Sequence, residues 1–568
     1  MSLTTGTLML LFLFQQTAAS QRPATKLLSP AICGKGTFLL MLADQPAGSE
    51  TFEITCKPDG GYSVSGRTEF KVPGLSSDLN TTLELDKTGL PLGSTAHGTV
   101  ADQPFDQSIT IKEDKALLVT NGSQRELPYP RGAAVVGGNI FYMIQFLAAM
   151  YDVKRGGAQT VQVFPNQTAR IERIGSDELP RQVSSDAPAF DRYSVTLGLT
   201  GFTLWFDQQG RLAVMLVPSQ KFAVARQEYA SLVKPLTELL SAATPTENVD
   251  YSAPPGAPFT AEEVTVQAKG FTLGGTLLLP KSGTKPFPAA ITITGSGQET
   301  RDERLPLPGL EKYRPFGQIA EALAAAGIAV LRVDDRGIGK SGGRETLKTA
   351  TTEDFADDTR AQIAYLRSRP EINANRIALV GHSEGGVIAP MVASTDDRVA
   401  AIVLMAGTAK RGDDILTFQY GDAIKDDPTM TPQERDKLIA ARREMLKAIA
   451  EGGDSAKAPE MLKNGWMKFF IGYDPLPTIR KVRQPILVLQ GGLDHQVTPE
   501  QAPMLEKAAR DAGNKDVTLR VFPNLNHLFL PAKTGQPNEY SSLSTNQLGD
   551  EVLGSLVDWL KKRLAAGR

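Results

Sequence analysis

The stretch Arg376-Ile-Ala-Leu-Val-Gly-His-Ser-Glu-Gly-Gly386 carries the decision about this chain. An apolar run enters Gly381-His382-Ser383-Glu384-Gly385, which fits G-x-S-x-G. A nucleophilic serine needs a tight, strained turn between a strand and a helix, so that its Oγ stands clear of the sheet. Glycines on both sides remove the Cβ atoms that would collide there. The helix that follows offers its N-terminus to negative charge near the attacking oxygen. The spacing therefore predicts a strand up to Ser383, a helix after it, and Ser383 as a nucleophile.

A serine is a weak nucleophile without a base. The chain has four histidines. His97 lies in a β-rich N-terminal part. His382 projects away from its neighbour, as adjacent residues on a sharp turn do. His527, in "FPNLNHLFL", follows the last apolar strand and is the expected base, with His495 as a rival. The acid that orients the imidazole is read at Asp494, directly after the strand "PILVLQGG"; Asp474 and Asp550 are the alternatives. The order Ser383, Asp494, His527 differs from that of the two common unrelated protease folds. Two backbone N–H groups should bind the oxyanion: that of Glu384, and one from the turn "Thr294-Gly295-Ser296-Gly297-Gln298". Ser296 is favoured there, with Gly297 and Gln298 as rivals. The Glu384 side chain is read as solvent-facing and inert. Arg301, Asp302, Asp335 and Arg336 are read as braces of their loops.

Around these residues, "FPAAITITGSG", "GIAVLRVDDRG", "RIALVGHS", "VAAIVLMAG", "PILVLQGGLD" and "VTLRVFPNLNH" read as apolar strands separated by helices. That alternation argues for a doubly wound, mainly parallel sheet with helices on both faces. One insertion, 407–482, breaks it. It contains a well-marked helix from Thr431, with a capping box to Glu434 and a stop at Gly452, and reads as a lid.

The remaining chain is different in kind. Residues 21–245 read as an N-terminal, mostly antiparallel β domain, with turns at Asp59-Gly60, Asp86 to Gly89 and Asp207 to Gly210. The segment "GGNIFYMIQFLAAMYDV" interrupts it as a helix, and residues 219–241 read as helical. A curved sheet or half-barrel is expected rather than a propeller, since no repeat of blade length is present. An Ala/Pro/Thr/Ser-rich linker at 246–260 leads to the catalytic part, 261–568.

Bulk properties narrow the functional classes. The chain has 568 residues, 41% hydrophobic and 22% charged, with a formal net charge of −2. That length suggests two domains or more, and that charge gives nucleic acid no basic field to bind. Residues 1–20 resemble a signal peptide, and no later run is apolar and long enough for a membrane span. The mature protein is expected to be exported, periplasmic or secreted. Cys33 and Cys56 allow a disulfide or two buried thiols, and neither lies in a CxxC. "GIGKSG" and "GSGQET" lack glycines that phosphate and dinucleotide loops require.

The C-terminal three hundred residues resemble the α/β-hydrolase superfamily. "VDDRGIGKSGG" resembles its D-x-R-G-x-G-x-S loop, and "VRQPILVLQGGLDHQVTPEQ" its acid-bearing strand and loop. "TGSGQETRDE" resembles the first-strand turn of bacterial exported esterases and of dienelactone-hydrolase-like and prolyl-oligopeptidase-like members. Thr294 stands where many members carry His before the oxyanion glycine. The resemblance implies a serine hydrolase of small carboxylic esters, acting through an acyl-enzyme with no cofactor and no metal. A peptidase or amidase with the same triad is the alternative, and a non-catalytic binding protein on the same scaffold a further one. The acyl and alcohol groups, the oligomeric state and the role of the N-terminal domain are not written in the sequence.

Overall fold

The computed structural model describes residues 26–72, 75–177, 189–198, 200–243, 249–305, 310, 312–451 and 464–565. The signal-peptide reading at 1–20 and the Gly452 helix stop lie outside them, as does part of the linker. The chain divides into two compact units, 1–72 with 76–241, and 73–75 with 242–568.

In the first unit one sheet has fifteen strands, β1 (Gly34–Leu42) to β15 (Phe222–Arg226). Almost every strand pairs antiparallel with its neighbour in sequence. The exceptions are the seam between β1 and β15, and the parallel pair of β9 (Ala134–Val135) with β10 (Gln159–Phe164). The hairpin turns fall at Lys57 to Gly61, Asp86 to Leu90 and Asp207 to Arg211, where Asp and Gly were read as turn signals. Helix α1 (Tyr142–Ala149) is apolar except for Gln145, whose side chain bonds the backbone of Leu27, Gly210 and Leu212, and Tyr142 to Ala148 are all buried. A helix without a polar face must be enclosed. One core joins α1 to side chains from both halves of the sheet, among them Phe38, Phe52, Val64, Leu83, Ile171 and Leu204, so the sheet curls around it. The reading of 219–241 as helical is corrected: Phe222–Arg226 is strand β15, paired on both sides, and α2 covers only Val233–Ala243. The short run Phe-Ala-Val-Ala is buried on both faces, and that suits a strand. Cys33 and Cys56, either side of the β1–β2 hairpin (β2, Gln45–Cys56), are joined in a disulfide.

The second unit is built on an eight-stranded sheet. It begins with a hairpin that the sequence pattern did not reveal, β16 (Phe259–Gln267) and β17 (Thr272–Pro280), which runs antiparallel. Next in space come β19 (Ala329–Val333), β18 (Phe287–Ile293), β20 (Ile372–His382), β21 (Val399–Met405), β22 (Ile486–Gly491) and β23 (Val517–Phe522). These six are mutually parallel. The runs of β18, β19, β21 and β22 are buried on both faces, as a parallel sheet covered by helices requires, while the edge strand β23 leaves Val521 exposed. One core holds α4 (Thr352–Ser368), α5 (Gly385–Ala393) and α10 (Gln501–Asp511). The other holds α3 (Pro315–Ala325) and α11 (Asp550–Arg563). Between β21 and β22 the chain leaves the sheet through α6 (Gly412–Ile424), α7 (Pro432–Ala450), α8 (Gly465–Gly472) and α9 (Leu476–Ile479). Thr431 caps α7 with the expected box to Glu434.

Candidate active site

The parallel strands end along one edge, and the singled-out residues gather there. Ser383 follows β20 with φ +53°, a left-handed conformation costing a non-glycine residue about 1–2 kcal/mol. Its N–H donates to Met405 O at 2.8 Å, so strand pairing continues right up to the turn. The glycines are needed for space. A Cβ on Gly381 would lie 2.0 Å from Gly385 O, and one on Gly385 would lie 2.1 Å from Ile293 O. Ser383 is partly exposed while the residues around it are buried. Strain held at a partly exposed serine is what a nucleophile elbow requires.

Asp494 and His527 meet as read. His527 Nδ1 lies 2.8 Å from Asp494 Oδ2, and both residues are buried. Its other oxygen, Oδ1, accepts from the amides of Gln496 and Val497, each at 2.8 Å, and Gln490 Nε2 donates to Oδ2 at 3.0 Å. Those donors fix its direction, and it fixes the ring. The loop carrying His527 is closed by Asn526, whose Oδ1 accepts from the amides of Leu528 and Leu530. Tyr313 donates to Leu528 O. Ser383 and His527 are not hydrogen-bonded to each other among the described residues, and such contacts tighten when substrate binds. His495 pairs with Asp422 and Gln536 at the rim, and His97 lies in the other unit beside Asp106. Asp474 caps the N-terminus of α9, and Asp550 lies in the first turn of α11.

Of the amides at the turn after β18, that of Gly295 is occupied, donating to Glu303 Oε1 at 2.7 Å. The amides of Ser296, Gly297 and Gln298, and that of Glu384, donate to no group among the described residues. The turn is braced by Asp335, which accepts from Thr294 Oγ1 and from Glu299 N. Burial pushes the Asp335 carboxyl up to about 8, and burial beside Glu303 and Asp335 raises Glu299 well above the usual carboxylate range. Arg301 is buried, paired with Asp334 and Glu263 and stacked over Tyr251 at 4.2 Å. Asp302 pairs with Arg332, and Arg336 with Asp358 at 2.8 Å. These four act as braces.

The reading of Glu384 as solvent-facing is corrected. Its side chain is buried and accepts from Thr352 Oγ1 at 2.6 Å and from Trp466 Nε1 at 2.7 Å. Burial raises its carboxyl despite both donors. Glu384 therefore ties α8 and α4 to the elbow. Three further residues escaped the sequence reading: Glu303, Trp466 and Gln490. The only signal for Glu303 was its place in the charged run "GQETRDE". Among the described residues no cluster of His, Cys, Asp or Glu could hold a metal.

Comparison with known proteins finds similar hydrolases. A family described as serine aminopeptidase, S33, matches residues 309–532, a stretch containing Ser383, Asp494 and His527. Esterase EstD of Thermotoga maritima is 25% identical over 367 residues, covering 64% of this chain and 79% of that protein. An uncharacterised peptidase of Bacillus subtilis is 24% identical over 216 residues, 37% of this chain and 66% of the relative. Among solved structures, an esterase of Pyrococcus furiosus aligns at 17% identity over 55% of this chain and 94% of its own, with a TM-score of 0.36 that is too low to add an argument. These matches show the relation to the α/β-hydrolase superfamily that the motifs suggested.

Proposed function

We propose that this chain is an exported serine esterase. Ser383 Oγ attacks the carbonyl of a small carboxylic ester while His527 takes its proton. His527 then gives that proton to the leaving alcohol, Asp494 orients the ring, and water hydrolyses the acyl-enzyme. The amides of Glu384 and Ser296 hold the oxyanion; each such donor is worth roughly 10²–10³ in rate. The observation that carries this reading is the buried His527–Asp494 pair at 2.8 Å, at the same sheet edge as a serine held at φ +53°. The helices between β21 and β22 act as a lid over that edge. The relation to EstD, an esterase, favours esters. A disulfide in the first unit fits an oxidising compartment, and among the described residues no helix is long and apolar enough to cross a membrane.

A fluorophosphonate probe tests the nucleophile. Wild type should be labelled and Ser383→Ala should not; equal labelling of both sinks the reading. The second reading, a peptidase with the same triad, is favoured by the aminopeptidase description of the matching family. Aryl esters run against aminoacyl and prolyl amides separate the two, and amide turnover equal to ester turnover would replace the esterase reading.

A further inference from the structure

His382, the residue before the nucleophile, is used by no step above, yet it is buried and bonded at both ring nitrogens. Nε2 lies 2.9 Å from His527 O. A carbonyl only accepts, so Nε2 carries a hydrogen. Nδ1 lies 2.8 Å from Glu303 Oε1, the same oxygen that accepts the Gly295 amide. A carboxylate oxygen there makes Nδ1 a donor as well. A ring that donates from both nitrogens is an imidazolium. The pair buries one positive and one negative charge together, which is how buried charge is tolerated. Burial alone would lower the proton affinity of His382, but the Glu303 carboxylate outweighs it and moves it upward from the ordinary value. The charged groups that act on this ring are Glu303 on one side and Asp494 on the other, with the His527 ring 4.9 Å away. Glu299, Asp335 and Tyr313 lie around Glu303.

Glu303 is itself costly to place. It sits at φ +55°, is buried, and its Oε2 has no partner among the described residues. Strain and an unsatisfied oxygen together mark a residue retained for something other than stability.

We propose that His382, held as an imidazolium by Glu303, is a positioning residue of this site: it ties the oxyanion turn to the backbone of the base and keeps a fixed positive charge beside the His527 ring. The proposal rests on the serine-hydrolase reading. One consequence follows. The turn after β18 and the loop of His527 are coupled through Gly295 N, Glu303, His382 and His527 O, so disturbing one end misplaces the other.

The test uses the full chain, labelled with 15N-histidine; only four histidines have to be assigned. His382 should show both nitrogens protonated at pH 8, where an ordinary imidazole is neutral, and Glu303→Gln should abolish that signature. Gln keeps an acceptor for Gly295 N but removes the charge. With an aryl ester, Glu303→Gln should lower kcat/KM by about 10–100-fold, chiefly in kcat, as misplaced catalytic groups do. A neutral His382 at pH 8, or a loss of rate that falls on KM with kcat unchanged, overturns the proposal. A wild type that is neither labelled by fluorophosphonate nor active sinks the hydrolase reading and the positioning role with it. The nitrogen signals distinguish that failure, because they report the imidazolium without turnover.

Discussion

Glu50 in the first unit and Asp494 in the second are buried carboxylates held in opposite ways. In the first, Glu50 on β2 is fully enclosed and pairs with no cation among the described residues; it accepts from Thr68 Oγ1 and from the amides of Phe141 and Tyr142, at the start of α1. In the second, Asp494 faces His527, Glu303 faces His382, and Asp334 faces Arg301. A lone carboxylate at a helix start anchors that helix, and its burial favours the protonated form. A carboxylate opposite a ring nitrogen sets a tautomer and a direction, and chemistry depends on both. The difference separates a scaffold from a site within one chain.

The most severe way to break the comparison is Asp494→Asn. The ring stays held but in the wrong tautomer, so ester kcat should fall by about 10⁴, while the full chain unfolds at an unchanged temperature; a loss under tenfold would put Asp494 among the scaffold carboxylates. Glu50 should respond to pH instead. Burial raises it from 4.5 to about 7, overriding its three donors. Between those values the folded state holds a proton that the unfolded chain has released. The contribution of Glu50 to the stability of the first unit is therefore greatest below about pH 4.5 and drains as pH rises through 7, by about 3 kcal/mol in all. Opening free energies from peptide-resolved hydrogen exchange at pH 5 and pH 8, on wild type and Glu50→Gln, check this; a slope that survives the substitution contradicts it.

Reducing the Cys33–Cys56 bridge, with its sequence separation of 23, should cost the first unit about 3 kcal/mol or somewhat less and leave the second untouched. Hydrogen exchange with and without reductant measures both units at once. The smallest effect is expected from Trp466→Phe, which strips one donor from the Glu384 carboxylate. It should destabilise the second unit by about 1–2 kcal/mol and lower kcat/KM less than tenfold. A larger kinetic loss would move Glu384's side chain from anchor to machinery.

What was legible in the sequence follows from how each feature is encoded. The strands β18 to β22 contain continuous apolar runs, since a parallel sheet buries both faces, and Ser383, Asp494 and His527 sit just past the ends of β20, β22 and β23. The hairpin β16–β17 was missed because "FTAEEVTVQ" alternates with acidic residues and lies next to a Pro-rich segment. The strand β15 was taken for helix because five residues carry too little periodicity to tell the two apart. The partners of His382 and Glu384 were not legible. Glu303 lies 79 residues before the first, and Trp466 lies 82 after the second. A side chain's burial and its bond to a distant loop leave no local pattern to read.

The seam of the first sheet has a consequence for how this chain comes together. Nearly every pairing there is between strands adjacent in sequence and can form as soon as each hairpin is made. The register of Phe38 with Arg226 cannot, since it joins the two ends of the unit. Contacts between distant residues form late, and until they do β1 and β15 are both open edges that accept any strand offered. Until that pair meets, β1 and β15 add two open edges to those of β8 and β9, and the last hairpin of the sheet, β14 with β15, is what closes them.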